Sequence, residues 1–250
     1  MLSKARSQFV RSLHQKKFRQ EHGLFLVEGA KSVQEVLASD FRVEQLLATE
    51  AFYKENAQLA DRQRPQVEIV LPDELTRIGT LETNNAALAL ARTTENHPLL
   101  ADPGEMVLIL DDIRDPGNLG TILRIADWYG ISKVICSETT AEVYNPKVIS
   151  ASKGSFTRVR WFYTDLLTYA QDIPVTIPIY GAFLGGADVH TLAFGGGGGY
   201  LIMGNEANGI RPDLEPFVRQ KVTIPRYGAA ESLNVGIATA VILDNWRRGY

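Results

Sequence analysis

The sequence predicts an α/β protein in two units, the second built on a mostly parallel sheet with helices on both faces. Three observations lead there. Short apolar runs alternate with amphipathic stretches along nearly the whole chain. One polar stretch punctuated by Pro and Gly, TTENHP at 93–98 followed by ADPG at 101–104, interrupts that alternation and marks the boundary between units. The run Met106-Val107-Leu108-Ile109-Leu110, closed by Asp111-Asp112, is apolar throughout. A strand of that kind is buried on both faces, as in a parallel sheet.

Taken in order, residues 1–20 carry Lys4, Arg6, Arg11, Lys16, Lys17 and Arg19 with no acid before Glu21. Such a segment reads either as an amphipathic helix with a solvated charged face or as a grip for phosphates. Strands are expected at 24–27, 43–48, 67–71 and 86–91, and helices at 31–38, 52–59 and 73–78, which makes a small α/β domain. After the linker, strands are expected at 106–110, 133–136, 159–163, 178–183, 200–203 and 221–224. Helices are expected at 165–169, 212–217 and 232–246. In the last helix Leu233, Val235, Ile237, Val241, Ile242 and Trp246 are distributed nearly all round the axis. A helix apolar on every side needs cover on every side, from the core or from a second subunit, so a homodimer is expected. The run Gly195–Gly199 reads as a flexible loop.

Composition narrows the function classes. With 250 residues, 45% of them hydrophobic and 22% charged, the chain is of ordinary soluble type. No apolar run approaches the roughly 20 residues a bilayer span needs, so no membrane partner is expected. The stretch MLSKARSQFVRSLHQKKFRQ lacks an apolar core of signal-peptide type. A single cysteine, Cys136, excludes an internal disulfide and fits a cytoplasmic location. His14, His22, His97 and His190 form no helical i,i+4 pair, and no metal is expected. The net charge of −3 argues against bulk attraction to nucleic acid, which leaves the basic lead segment as the candidate contact.

Three glycine-bearing turns follow strands of the second unit, where open α/β sheets bind ligands. The first lies in DDIRDPGNLGTILRIADWYG, 111–130: a turn at Asp115-Pro116-Gly117-Asn118, with Asn118 able to cap the following helix. Leu119, Ile122, Leu123, Ala126 and Tyr129 share one face of that helix, Gly130 is placed to end it, and Arg124 stands opposite with Gly120, Thr121 and Asp127. The second turn is MGNEANG, 203–209, where Gly204 would let a ligand approach backbone and Glu206 offers a carboxylate. The third runs from Ile224 to Asn234 and places Glu231-Ser232-Leu233-Asn234 at the start of the final helix. Taken singly, each is more simply a structural turn. A dinucleotide site is disfavoured, because the glycine run at 195–199 precedes a strand rather than following one.

Together, DPGNLGTILRIAD, IMGNEANGI and IPRYGAAESLNVGIATA resemble the three motifs of the SpoU/TrmH family of ribose 2′-O-methyltransferases, in the SPOUT superfamily. KFRQEHGLFLVEGAKSVQEVL, 17–37, looks like the start of the substrate-binding domain many members carry, with a fold similar to ribosomal protein L30e. The resemblance implies an L30e-like RNA-binding domain at 1–95 and a methyltransferase domain at 105–250 tied in a deep trefoil knot. It implies S-adenosylmethionine as cofactor, held largely by backbone at Gly204, Ile224 and Leu233 with neighbouring Met203 and Asn205. It makes Asn118, Arg124, Glu206, Ser232 and Asn234 the functional polar positions, and it implies a dimer with the site near the subunit interface. The substrate it implies is structured RNA, with ribosomal RNA favoured over transfer RNA on the analogy of the N-terminal domain. Arg124 would stabilise the developing 2′-oxyanion, and Glu206 would orient Arg124 or accept the proton. Arg11, Lys16, Lys17 and Arg19 would contact phosphate. Two departures stand out: Arg226 where the family usually has methionine, and SKGSF at 152–156 in place of a more hydrophobic small-residue pattern. The alternative is a non-catalytic RNA-binding or ribosome-assembly protein that kept the knot, against which the intact polar positions count.

Overall fold

A computed structural model of the chain describes residues 2–248. They fall into two compact units, one running to Glu95 and including Glu142–Arg158, the other made of Asn96–Ala141 and the chain from Val159 onward.

The first unit runs α1 (Lys4–Ser12), α2 (Lys16–His22), β1 (Leu24–Glu28), α3 (Ala30–Ala38), β2 (Val43–Ala48), α4 (Glu50–Glu55), α5 (Ala57–Gln63), β3 (Gln66–Ile69), α6 (Pro72–Ile78) and β4 (Ala87–Arg92). Its sheet has the order β1-β4-β2-β3, with β4 antiparallel to both neighbours and β2 parallel to β3. Leu26, Leu47, Leu88 and Leu90 from the strands pack with Val10 and Leu13 from the first helical turn pair and with Leu75 and Ile78 of α6. That apolar set holds α1 and the turn after it, through Val10 and Leu13, against the sheet of the first unit. The single helix expected at 52–59 is two, because Asn56 leaves helical geometry (φ −119°) and its Nδ2 donates to the Phe52 carbonyl at 2.8 Å.

The second unit continues with β5 (Met106–Leu110), α7 (Pro116–Trp128), β6 (Lys133–Ser137), α8 (Pro146–Ser152), β7 (Arg160–Thr164), α9 (Leu166–Asp172), β8 (Ile179–Asp188), β9 (Gly199–Met203), β10 (Gln220–Thr223) and α10 (Val235–Arg248), of which α8 belongs to the first unit. The sheet order is β10-β8-β9-β5-β6-β7 and every pairing is parallel. All six strands therefore end on one edge, and the ends of β5, β9 and β10 open into the three glycine-bearing turns. Val107, Ile109, Ile135, Tyr200 and Ile202 form the core with Leu166, Tyr169 and Ile173 around α9. Lys133 is buried in β6 and paired: its Nζ donates to Asp102 Oδ2 at 2.7 Å, Glu105 Oε2 at 2.6 Å and the Leu100 carbonyl at 2.8 Å, which pins the linker to the sheet.

The helix expected at 212–217 is only a 3-10 turn at Glu215–Phe217. Pro216 lacks the N–H that a helix needs to bond back to position 212. The last helix starts at Val235, and Val235, Thr239, Ile242, Leu243 and Trp246 are buried on one face while Ile237 keeps 56% of its surface exposed. The core of this chain covers only one side of it. No described helix is long and apolar enough to cross a membrane.

Residues 142–158 return to the first unit, which no break in composition announced. α8 packs on β1, and the rings of Tyr144 and Phe156 meet Phe25 at 4.7 and 6.0 Å. The departure SKGSF has a local reason: Gly154 holds φ +97°, and a Cβ there would stand 2.6 Å from Glu35 Cγ. The same segment accounts for Arg19. Instead of facing solvent, Arg19 is 2% exposed. Its Nη1 donates to the carbonyls of Leu13 (3.0 Å) and His14 (2.9 Å), its Nη2 to Glu142 Oε2 at 2.5 Å and its Nε to Glu142 Oε1 at 3.4 Å. A guanidinium so desolvated and so committed is not a phosphate ligand. Arg11 is partly committed too, donating to the Arg77 carbonyl at 2.8 and 3.1 Å, whereas Lys16 and Lys17 are exposed.

Candidate functional site

The site grows from the cap of α7. Asp115, not Asn118, is the N-cap: its Oδ1 accepts from Asn118 N at 2.8 Å, and Pro116 takes the first helical position, where a missing N–H costs nothing. Asn118 is the third residue of the helix, so its side chain is free to reach outward. At the other end Gly130 N bonds the Asp127 carbonyl (3.1 Å) and Ile131 N the Ala126 carbonyl (2.8 Å), a Schellman closure with Gly130 at φ +67°.

Asn118 Nδ2 donates to Glu206 Oε1 at 2.8 Å, and Asn118 Oδ1 accepts from Asn234 Nδ2 at 2.8 Å. Asn234 Nδ2 also donates to Glu206 Oε1 at 3.1 Å. One residue from each turn thus meets the other two. Asn234 has a second task, since its Oδ1 caps α10 by accepting from Gly236 N (3.0 Å) and Ile237 N (3.3 Å). A Cβ on Gly236 would stand 3.1 Å from Thr121 Cγ2, so the glycine lets the start of α10 lie close against α7.

The loop that carries Glu206 is folded on itself. Asn205 and Gly209 exchange backbone hydrogen bonds at 3.0 and 2.8 Å. Asn205 Oδ1 accepts from Ala207 N and Asn208 N, while its Nδ2 donates to the carbonyl (2.9 Å) and Oδ2 (3.2 Å) of Asp112. Asn205 is therefore a brace for the loop, its amide fully engaged. The glycine at 204 also has a different reason from the one its motif suggested. A Cβ there would lie 2.2 Å from Gly209 C and 2.3 Å from Ile210 N, so the missing side chain makes room for the chain itself. Asp112 holds φ +60°, a left-handed conformation that aspartate tolerates better than most residues. Burial works against its carboxylate, but hydrogen bonds from Arg114 and Thr139 outweigh it and keep its pKa low. Beside it Asp111 is 2% exposed and accepts from Arg211 N at 2.8 Å; there desolvation wins and pushes the carboxyl upward.

Beside these loops lies a cleft of about 760 Å³, lined by Met203, Gly204, Asn205, Glu206, Ile224, Ser232 and Leu233 among others. Ile210, Val222, Val235, Ala238 and Ile242 add apolar wall. The segment from Pro225 to Leu233 has no regular structure and is largely exposed. Among the described residues, no main-chain N–H from Tyr227 to Leu233 donates to a protein acceptor. Asn118 and Asn234 do not line the cleft and reach it only through Glu206. Arg124 does not line it either. It projects from the exposed face of α7 that it shares with Thr121 and Trp128, and it makes no hydrogen bond or ion pair with any described residue. The Glu206–Arg124 pair expected from the motifs is absent among the described residues: Glu206 Oε1 accepts from the two asparagines, and Arg124 stands on the exposed face of α7, outside the cleft that Glu206 lines.

The profile of the SpoU rRNA Methylase family matches residues 105–244, which includes all three turns and the cleft. This chain belongs to the SpoU rRNA methylase family. Residues 5–89 match the MRM3-like substrate binding domain, the module that precedes the catalytic one here. The chain is 28% identical over 240 residues to the 23S rRNA (guanosine(2553)-2′-O)-methyltransferase RlmP of Bacillus subtilis, covering 95% of this chain and 94% of RlmP. Among solved structures it resembles a TrmH-family protein from Porphyromonas gingivalis, 35% identical with a TM-score of 0.82 over 99% of both chains. It also resembles an AdoMet-bound rRNA methyltransferase from Sinorhizobium meliloti, 26% identical with a TM-score of 0.89 over 99% of this chain and 96% of that one.

Sequence reasoning missed Asp115 and Asp112. The signal for the first was present, since Asp before Pro at a helix start is a cap signature. Nothing local marks the second.

Proposed function

We propose that this SpoU methylase transfers a methyl group from S-adenosylmethionine to a ribose 2′-hydroxyl of ribosomal RNA. The observation that carries the reading is the meeting of Asn118 and Asn234 on Glu206, which itself lines an apolar cleft, so that all three turns converge on one carboxylate.

The cleft suits the cofactor. Its volume lies inside the roughly 300–1,000 Å³ range of small-molecule sites. Ile210, Val222, Ile224, Leu233 and Ala238 offer an apolar slot for a purine, and the unpaired N–H groups of residues 227–233 offer main-chain recognition of its edge. When bound there, the cofactor supplies a methyl carbon on a sulfonium, open to in-line attack.

The protein's share is alignment and charge. Glu206 Oε1 is fixed by Asn118 and Asn234, while no described group donates to Oε2, which is left to accept the proton of the 2′-hydroxyl. Ser232, exposed on the cleft wall, offers a hydroxyl to the ribose. Arg124 supplies a permanent positive charge to the developing oxyanion and the adjacent phosphate. Since it does not line the cleft of its own chain, the reading includes a homodimer. The exposed side of α10, with Ile237, and the 84%-exposed Trp128 of α7 would form the contact. The knot of the C-terminal unit, the L30e-like character of the N-terminal one and a cytoplasmic site of action belong to the same proposal. Lys16 and Lys17, both exposed, would contact RNA phosphate.

Mapping 2′-O-methyl groups in RNA from cells with and without the protein tests the reading. One ribosomal RNA ribose should lose its methyl group. A loss confined to transfer RNA, or none, overturns it. In the purified enzyme, Arg124→Ala should lower methyl transfer by roughly 10²–10³-fold with cofactor affinity unchanged.

A further inference from the structure

Among the described residues, four acidic or basic side chains line the cleft: Glu206, Glu215, Glu231 and Arg226. Glu215 is neutralised by an ion pair with Lys221, and Glu206 Oε1 is engaged by Asn118 and Asn234. Glu231 is exposed and makes no hydrogen bond or ion pair with any described residue. Arg226, also exposed, is the one cation among the described lining residues. Its only bond there is a long one, Nη1 to the Ala230 carbonyl at 3.4 Å, which leaves most of the guanidinium's donors open. That contact bends the side chain back over its own loop, toward the wall and beside the residue preceding Glu231.

A ligand carboxylate entering this cleft meets repulsion from the acids and attraction at one place. S-adenosylmethionine has a single carboxylate, at its amino-acid end. We propose that Arg226 binds that carboxylate and selects for ligands that carry it, an inference that rests on the cofactor reading above. The guanidinium fork matches a carboxylate in plane and charge, which a methionine at this position cannot do. The ligand's ammonium then falls to an acid of the same loop, for which Glu231 is free.

A thermodynamic cycle on the full chain tests this. Isothermal titration measures wild type and Arg226→Met against S-adenosylmethionine and against decarboxylated S-adenosylmethionine, which lacks the carboxylate and keeps the rest. Arg226→Met should weaken S-adenosylmethionine about tenfold, the size of one exposed charge-assisted hydrogen bond, and leave the decarboxylated ligand within about twofold. Arg226→Lys should retain part of the discrimination. Equal losses for both ligands, or no loss for either, overturn the assignment while leaving the cofactor reading standing. Loss of RNA affinity with unchanged S-adenosylmethionine affinity overturns it too and gives the guanidinium to RNA. If the wild type binds neither ligand, the cofactor reading itself fails and the Arg226 assignment falls with it.

Discussion

Arg19→Met keeps an unbranched apolar stem and removes the guanidinium. Three acceptors then lose their donor: the carbonyls of Leu13 and His14, and the carboxylate of Glu142. Each carbonyl left without its donor, that of Leu13 buried and that of His14 partly so, costs about 1 kcal/mol. Glu142 keeps 18% of its side chain exposed, so water replaces part of what it loses and its share is about 1 kcal/mol. The total, about 3 kcal/mol, sits at the low end for breaking one side of a buried ion pair. In a unit of roughly a hundred residues each kcal/mol moves the melting temperature by about 4 °C, so the first unit should melt about 12 °C lower. Calorimetry on the full chain reads that shift. RNA affinity measured against salt, at a temperature where both proteins are folded, should keep the wild-type slope. Lys16→Ala and Lys17→Ala should instead each reduce the slope by about one and leave melting nearly unchanged. An Arg19→Met protein that melts within about 3 °C of wild type and binds RNA with a shallower slope would refute the structural role, since the expected loss is several times that.

Three further outcomes follow from contacts described above. Gly204→Ala forces the backbone at Gly209 and Ile210 away from a Cβ about 2.2 Å off, so cofactor affinity by titration should fall roughly tenfold or more as Glu206 leaves its asparagines. Asp115→Ala removes the cap of α7, and denaturant unfolding should show a loss of about 1 kcal/mol. Glu74 accepts from Leu2 N at 2.7 Å and Leu71 N at 3.1 Å, and these bonds hold its carboxyl below the ordinary glutamate value. A depressed carboxylate pKa adds stability that is complete above the unfolded value of about 4.3 and disappears as pH falls through the folded one. Glu74→Gln should therefore lose less stability than wild type between about pH 5 and pH 2, and an acid limb as steep as wild type's would count against the contact.

The parallel sheet was legible because β5 is apolar and buried along its whole length, as is β9 beside it, a pattern few other arrangements satisfy. The three turns were legible as motifs, and of the five polar positions expected from them Asn118, Glu206 and Asn234, one from each turn, do meet, while Arg124 and Ser232 stand apart from that junction. What escaped were competitions that local pattern cannot rank. Arg19 looked like any other member of a basic run, and only the return of residues 142–158 brings the carboxylate that buries it. Asn118 was a reasonable cap until Asp115 proved better placed, and Gly204 seemed open until the loop closed over it. The helix expected at 212–217 is cut to a 3-10 turn by Pro216, a residue plain in the sequence.

Glu206 Oε1 gathers donors 88 and 28 positions away in the chain, and Asn118 meets Asn234 across 116. Closing the longer of these spans is slow, so these bonds are expected among the last to form in folding, and hydrogen-exchange pulse labelling of the α10 amides would check it. A nascent or truncated chain that stops short of Asn234 can have most of its strands and still lack the junction. Ligand occupancy would then act as an inspection stamp, rewarding completed copies through mass action and withholding that reward from unfinished ones.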